Sequence, residues 1–267
     1  TAVAANFSLI VNTDGFKDPA GQFPGSETGT VVTLEAGEVY GVAESVAPGY
    51  GIPSFSEFCT GTLSVGEEKT CTVTNDDDAP SLILVKNVVN DNGGSADATA
   101  WTLTADGPTD ISGVGGATST PSFFAGTYTL SESDGPAGYI QMNEWSCTNG
   151  VVVNENNQIT LALGQSTVCT VTNDDQNPRL VLNKVVVNDN GGGADADEWT
   201  LTADGPTPLS GLGGDTNADV VSDPTFSAGV YNLSESVGPA GYTAGEWSCV
   251  INAGEPVFGS QIELGLA

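Results

Sequence analysis

A chain of 267 residues with five Lys and Arg against 34 Asp and Glu, and no His, carries a formal charge of −29. Such a surface repels phosphate, which excludes nucleic acid and anionic membrane as partners, because both are gripped by Lys and Arg. The acidity suits a saline or calcium-rich medium, or plain solubility through self-repulsion, while regular apolar alternation and four Trp separate the chain from a disordered acidic polymer.

The length allows one large domain or two to three small ones, and internal repetition decides for three. Residues 71–94 read CTVTNDDDAPSLILVKNVVNDNGG, and residues 169–192 read CTVTNDDQNPRLVLNKVVVNDNGG. Each copy has the form of a closing strand, a polar Asp- and Pro-containing hinge, and the opening strand of the next unit. Lys86 and Lys184 stand 98 positions apart, as do Cys71 and Cys169. That spacing is the size of an immunoglobulin-like sandwich. It divides the chain into repeat one (1–78), repeat two (79–176) and repeat three (177–267).

In chain order, repeat one opens with an alternating run at 7–15 (FSLIVNTDG), has EVYGVAES at 38–45 and APGY at 47–50, and closes on the Cys71 strand. It has no Lys-bearing first strand. Repeat two is the complete one. Strands are expected at 82–89, 101–105, 122–124, 126–132, 144–147, 158–163 and 168–173, with a Gly-rich meander before 122 and a GPAGY turn at 135–139. Repeat three follows in parallel through WTLTADGPT at Trp199, GVYNLSES, GPAGY and EWSC, and reaches Ala267 before a strand equivalent to CTVTN. Short strands broken by Gly, Pro and Asn, with no helical period, predict an all-β tandem array of β-sandwiches.

Cys59 and Cys71 in repeat one match Cys147 and Cys169 in repeat two. With no CxxC and no His for a metal site, they are expected to pair as Cys59–Cys71 and Cys147–Cys169 in an oxidising compartment. Cys249 repeats Cys147 without a partner and is expected to pair outside the sequence. No apolar run approaches the length of a membrane helix, and no signal peptide is present, so the sequence reads as a mature or excised exported segment.

Alternation in repeat two places Leu82, Leu84, Lys86 and Val88 on one face, Tyr128, Leu130 and Glu132 on another, and Cys169, Val171 and Asn173 on a third. If these are core faces, a Lys, a Glu and an Asn point into one small domain, which is costly unless they pair or react. The order of a strand with Lys, a strand ending in Glu followed by PxGY, and a last strand ending VxN resembles the collagen-adhesin B-type repeat (SpaA-like, prealbumin-like) of bacterial surface proteins. The resemblance covers essentially the whole chain. It implies a self-formed isopeptide bond between Lys86 and Asn173, with Glu132 shuttling the proton. Repeat three supplies Lys184 and Glu235 without the Asn strand, and repeat one supplies Glu44 and Asn75 without the Lys strand. The alternative for Lys86 is a gatekeeper on an exposed edge strand.

No cofactor is implied, although the acidic hinges, through Asp76, Asp91, Asp174 and Asp189, offer oxygen ligands for Ca²⁺ between domains. Asn-Asp-Gly turns need no metal, which is the plainer reading of those clusters. Asn6 and Asn232 stand in glycosylation sequons. Nothing points to catalysis on an external substrate: His, a Gly-x-Ser-x-Gly elbow and a phosphate loop are all missing from the sequence. The expected role is an extracellular structural repeat protein, a cell-surface stalk or fibre segment. The rivals are an adhesin for glycan or host protein, and accessory domains of a secreted hydrolase. Partners are expected to be flanking repeats or other copies, which would supply the strands that repeats one and three lack.

Overall fold

The structure, a computed structural model, describes residues 2–13, 22–214 and 220–267. Its regular structure is nearly all strand, and its few helical turns are three-residue 3₁₀ segments such as Ala98–Ala100 and Ala196–Glu198. Among the described residues no helix is long and apolar enough to cross a membrane.

Repeat two is a two-layer sandwich. One sheet runs Gly116–Thr118, Ser81–Val89, Ser166–Asp175, Tyr139–Gln141, with Ser146–Cys147 also paired to Ser166–Asp175. The other runs Gln158–Leu161, Gly126–Glu132, Thr102–Asp106, Ile111–Val114. The first and last strands of the repeat, Ser81–Val89 and Ser166–Asp175, are adjacent and parallel over nine residue pairs, with Lys86 facing Val171 and Asn173 facing Val88. Strict inward alternation on the long strands fills the space between the layers with Leu82, Leu84, Leu103, Tyr128, Leu130, Trp145, Ile159 and Val171.

Two details differ from the sequence expectation. Residues 122–124 are not a strand. Pro121 stands before them, and the Phe123 amide closes a turn on the Thr120 carbonyl, which drops Phe123 into the core against Tyr128 at 4.6 Å. The strands of that region lie earlier, at Ile111–Val114 and Gly116–Thr118, inside the stretch read as a meander. The GPAGY turn also leads into a short strand, Tyr139–Gln141, that pairs with Asn173–Asp175.

Repeat three repeats one layer fully: Leu209–Leu212, Thr200–Asp204, Gly229–Glu235, Gln261–Leu264. Among the described residues its second layer has two pairs, Val181–Leu182 with Val220–Val221 and Ser248–Cys249 with Val257–Phe258. Repeat one has a sheet of Phe23–Pro24, Ser8–Thr13, Val39–Glu44 and Thr60–Thr62, and a pair of Ser54–Phe55 with Val73–Thr74. Its buried apolar side chains among the described residues are Val11, Tyr40 and Cys59.

The two junctions are built alike. Gly49, in the APGY turn of repeat one with φ +80°, lies against Leu163 of repeat two, and its carbonyl accepts the Asp78 amide. Gly138, in the GPAGY turn of repeat two with φ +82°, lies against Leu266 of repeat three, and its carbonyl accepts the Gln176 amide. A Cβ at either glycine would overlap the leucine side chain, so glycine is required both for φ and for the close approach.

Candidate functional site

The constellation lies where the first and last strands of repeat two run side by side. Lys86 is 4% exposed and Asn173 is 4% exposed, both pointing between the layers. Their α-carbons sit on neighbouring strands, two residues out of step, a diagonal of roughly 8 Å by strand spacing and rise, which a lysine side chain spans. Glu132 reaches the same point from the facing sheet, at the end of Gly126–Glu132. The Lys86 Nζ donates to Glu132 Oε2 at 2.7 Å. The Asn173 Oδ1 is buried and has no hydrogen-bond partner.

Trp101 closes the site from the side, its ring 4.8 Å from Lys86 Nζ, and Tyr139 packs edge-on against that ring at 5.4 Å. Gly135 explains the first glycine of GPAGY: a Cβ there would sit 2.1 Å from Trp101 Nε1. Burial pushes the Lys86 ammonium down from its ordinary value, and the Glu132 carboxylate beside it pushes in the opposite direction. A buried amine touching a carboxyl group, on the strand next to one that carries an amide carbonyl with no hydrogen-bond partner, is the set of groups that nucleophilic attack on a carbonyl uses.

The other two repeats hold parts of the same arrangement. In repeat three Lys184 Nζ donates to Glu235 Oε2 at 2.5 Å, with Trp199 at 4.7 Å and Tyr242 edge-on to it. The Lys184 side chain is 14% exposed where that of Lys86 is fully buried. In repeat one the Asn75 Nδ2 donates to Glu44 Oε2 at 2.9 Å. Disulfides join Cys59 to Cys71 and Cys147 to Cys169, the second linking the closing strand to Ser146–Cys147. Cys249 is a half-buried free thiol whose pKa burial pushes up.

Of the four carboxylates considered for Ca²⁺, the structure brings Asp91 and Asp174 together with Asp175, their oxygens within 4.8 Å of one another. Asp76 and Asp189 are exposed and lie outside that cluster. Asp175 is already committed. Its carboxylate accepts the backbone N–H groups of Asp91 at 2.9 Å, Asn92 at 3.0 Å and Gly94 at 2.5 Å, and caps the Asn-Asp-Asn-Gly-Gly loop. Two carboxylates then remain, against the six to eight oxygens Ca²⁺ takes. Sequence reasoning missed this cap and the tryptophan lid. The signal for the cap was present, since both closing strands read CTVTNDD and carry Asp77 and Asp175 at the same place.

Residues 76–171 and 175–266 match the family model of the prealbumin-like fold domain, well over half of the chain. The chain belongs to this family. No curated protein matches it. Among solved structures it is similar to the Bacillus anthracis TIE protein (16% identity, TM-score 0.41, 97% of this chain and 49% of that one). It is also similar to a Mobiluncus mulieris adhesin containing intramolecular disulfide, isopeptide and ester bond cross-links (16%, TM-score 0.30, 52% and 58%). A third is a C-terminal fragment of the pilus adhesin SpaC from Lactobacillus rhamnosus GG (15%, TM-score 0.33, 70% and 83%). The chain spans about half the length of the TIE protein chain.

Proposed function

We propose that this chain is an extracellular structural segment, a stretch of cell-surface stalk or filament whose prealbumin-like repeats are locked by covalent bonds within each repeat. The observation that carries the reading is the buried meeting of Lys86, Glu132 and Asn173 on the strands that enter and leave repeat two. A neutral Lys86 amine attacks the Asn173 side-chain carbonyl, a C–N bond forms, and the amide nitrogen leaves as ammonia. Glu132 in its protonated form hydrogen-bonds the carbonyl oxygen, gives its proton to the leaving nitrogen, and takes in exchange the proton that the Lys86 nitrogen sheds on forming the amide. The chemistry is directed at the chain's own side chains, not at an external substrate.

The topology supports a tensile role. Pull applied through the chain enters repeat two on Ser81–Val89 and leaves on Ser166–Asp175. A Lys86–Asn173 bond joins those two strands, so load would bypass the hydrogen-bonded ladder and the core. Intact-mass measurement of the folded chain tests the proposal: one ammonia should be missing, and Glu132→Gln should restore the full mass. A folded wild-type chain of unmodified mass, after the two disulfides are accounted for, overturns it.

A further inference from the structure

The GPAGY turn at 135–139 has two sides. On the inner side Gly135 lies on the Trp101 indole and Tyr139 packs edge-on against the same ring, which closes the Lys86 site. The outer side faces repeat three. There Gly138 lies against Leu266, the Gly138 carbonyl accepts the Gln176 amide at 2.8 Å, and the Gln176 carbonyl accepts the Ala267 amide at 3.1 Å. A second path runs from repeat three to the same ring. The Asn92 carbonyl accepts the Ala228 amide at 2.7 Å, and Asn92 Nδ2 donates to the Pro224 carbonyl at 3.2 Å. The loop that holds Asn92 also carries Asn90, whose side-chain oxygen accepts the Tyr139 hydroxyl, and leads to Ala96, whose amide donates to that hydroxyl oxygen at 2.9 Å. The junction of repeats one and two is built on the first path as well. Gly49 lies against Leu163, its carbonyl accepts the Asp78 amide at 2.9 Å, and the Asp78 carbonyl accepts the Gly164 amide at 2.8 Å. Tyr50 beside that turn packs edge-on against Phe7, which follows a 3₁₀ turn as Trp101 does.

From this we infer that repeat three seals the reactive site of repeat two: docked on the Gly138 turn and the Asn92 loop, it holds the Trp101 lid over Lys86. Leu266 is thereby a positioning residue, acting through the turn and the ring on an amine it does not touch. The physical link is hydration. Burial lowers the Lys86 pKa, and it is opposed by Glu132, the carboxylate that meets its Nζ. A turn pinned only from inside opens more often. Each opening lets water reach the ammonium and favours the charged form, which cannot attack. During synthesis an earlier repeat folds before a later one, so the lid of repeat two is fixed only when repeat three has folded against it. Cross-linking in one repeat is then timed by the folding of the next. The inference rests on the reading of Lys86 and Asn173 as the reacting pair, and adds to it control from a neighbouring repeat.

The test compares the full chain with its Leu266→Ser variant, which clears the outer side of the turn. Leu266 is half-buried and follows the strand Gln261–Leu264, so repeat three should stay folded, with its amides at 229–235 still protected. Hydrogen exchange at 135–139 should quicken about tenfold, the weight of one apolar side chain withdrawn from its contact. Each chain is then isolated unfolded in urea, its bond not yet formed, refolded in a glutathione redox buffer and followed by intact mass. Leu266→Ser should lose its ammonia about three- to tenfold more slowly than wild type at neutral pH, and the pH of half-maximal rate should rise, because a wetter amine keeps its proton to higher pH. Leu266→Met should restore both the rate and the pH profile. Asn92→Ala, which cuts the side-chain bond of the second path, should act in the same direction as Leu266→Ser. Unchanged exchange at 135–139 in Leu266→Ser, a wild-type rate of ammonia loss, or slowing that is equal at every pH overturns the inference and leaves the reacting pair standing. A wild-type chain that keeps its ammonia overturns both.

Discussion

Removing the Asp175 carboxylate should unfasten repeat two at its junction with repeat three. The side chain is 1% exposed and accepts from three backbone N–H groups, of Asp91, Asn92 and Gly94. Each buried donor left without a partner costs about 1–3 kcal/mol. Asp91 and Gly93 are exposed, so water can reach part of the loop and the full sum is not expected. Asp175→Ala should therefore destabilise repeat two by about 3–5 kcal/mol, a large share of the roughly 5–15 kcal/mol that holds a domain. Asp175→Asn keeps one acceptor oxygen and sets an amide N–H against a backbone donor, so about half that loss is expected. The loop also meets repeat three, where the Asn92 carbonyl accepts the Ala228 amide at 2.7 Å and Asn92 Nδ2 donates to the Pro224 carbonyl at 3.2 Å. Denaturant unfolding should show the loss in stability, and hydrogen exchange should show opening at 91–94 and at 228 together. An Asp175→Ala protein within about 1 kcal/mol of wild type, below the cost of even one orphaned donor, with exchange unchanged at those amides, would refute the cap.

Reduction should unfold repeat one before repeat two, because each disulfide contributes about 3 kcal/mol by loop entropy while the described residues of repeat one hold little core besides Val11, Tyr40 and Cys59; differential proteolysis in reductant reads the order. Burial, then the charges of Asp91 and Asp175, push the Asp174 pKa above its ordinary 3.8. The folded chain then holds a proton that the unfolded chain has lost, so this group's contribution to stability falls as pH rises from 3.8 through the folded value. Asp174→Asn should flatten that part of the stability–pH curve, and should not destabilise the protein at neutral pH. Calcium addition or chelation should leave the melting temperature unchanged at constant ionic strength, because Asp175 is held by backbone donors and leaves the cluster short of ligands.

The fold was legible because strand period and repetition agree. Leu82, Leu84 and Lys86 alternate in the sequence, and all three are buried; the same pattern in two copies fixed the size of the unit. What stayed hidden depends on long-range packing. Nothing local distinguishes residues 122–124, Ser-Phe-Phe after a proline, from a short strand, and the decision falls to the ring contact between Phe123 and Tyr128. Asp175 was visible as a residue of an acidic hinge but not as a cap, because its partners lie more than 80 positions earlier in the chain. Lys86, Glu132 and Asn173 were singled out by type and by resemblance. The lid over them was not, because a tryptophan at the head of a strand is ordinary core material until Gly135 brings the GPAGY turn down onto its indole.

Those pieces bear on one another through the Asn173 strand. Within ten residues, Ser166–Asp175 carries Cys169, Asn173 and Asp175 on its inward face. Each meets a different part of the chain: Cys169 is bonded to Cys147, Asn173 is buried next to the strand that carries Lys86, and Asp175 holds the loop that touches repeat three. A strand at the end of a sandwich is the one most easily peeled, since it is hydrogen-bonded and packed but followed by a hinge. Here the hinge follows directly, at 176–180, and the next repeat begins with Val181–Leu182. Fastening at Cys169 resists peeling from the start of the strand, and fastening at Asp175 resists it from the hinge end. The Asn173 amide lies between the two, in the part of the strand least free to leave the neighbouring strand that carries Lys86. That placement favours the proposed attack by proximity, and a bond formed there would lie where tension arriving through the hinge acts first on the ladder between Ser81–Val89 and Ser166–Asp175.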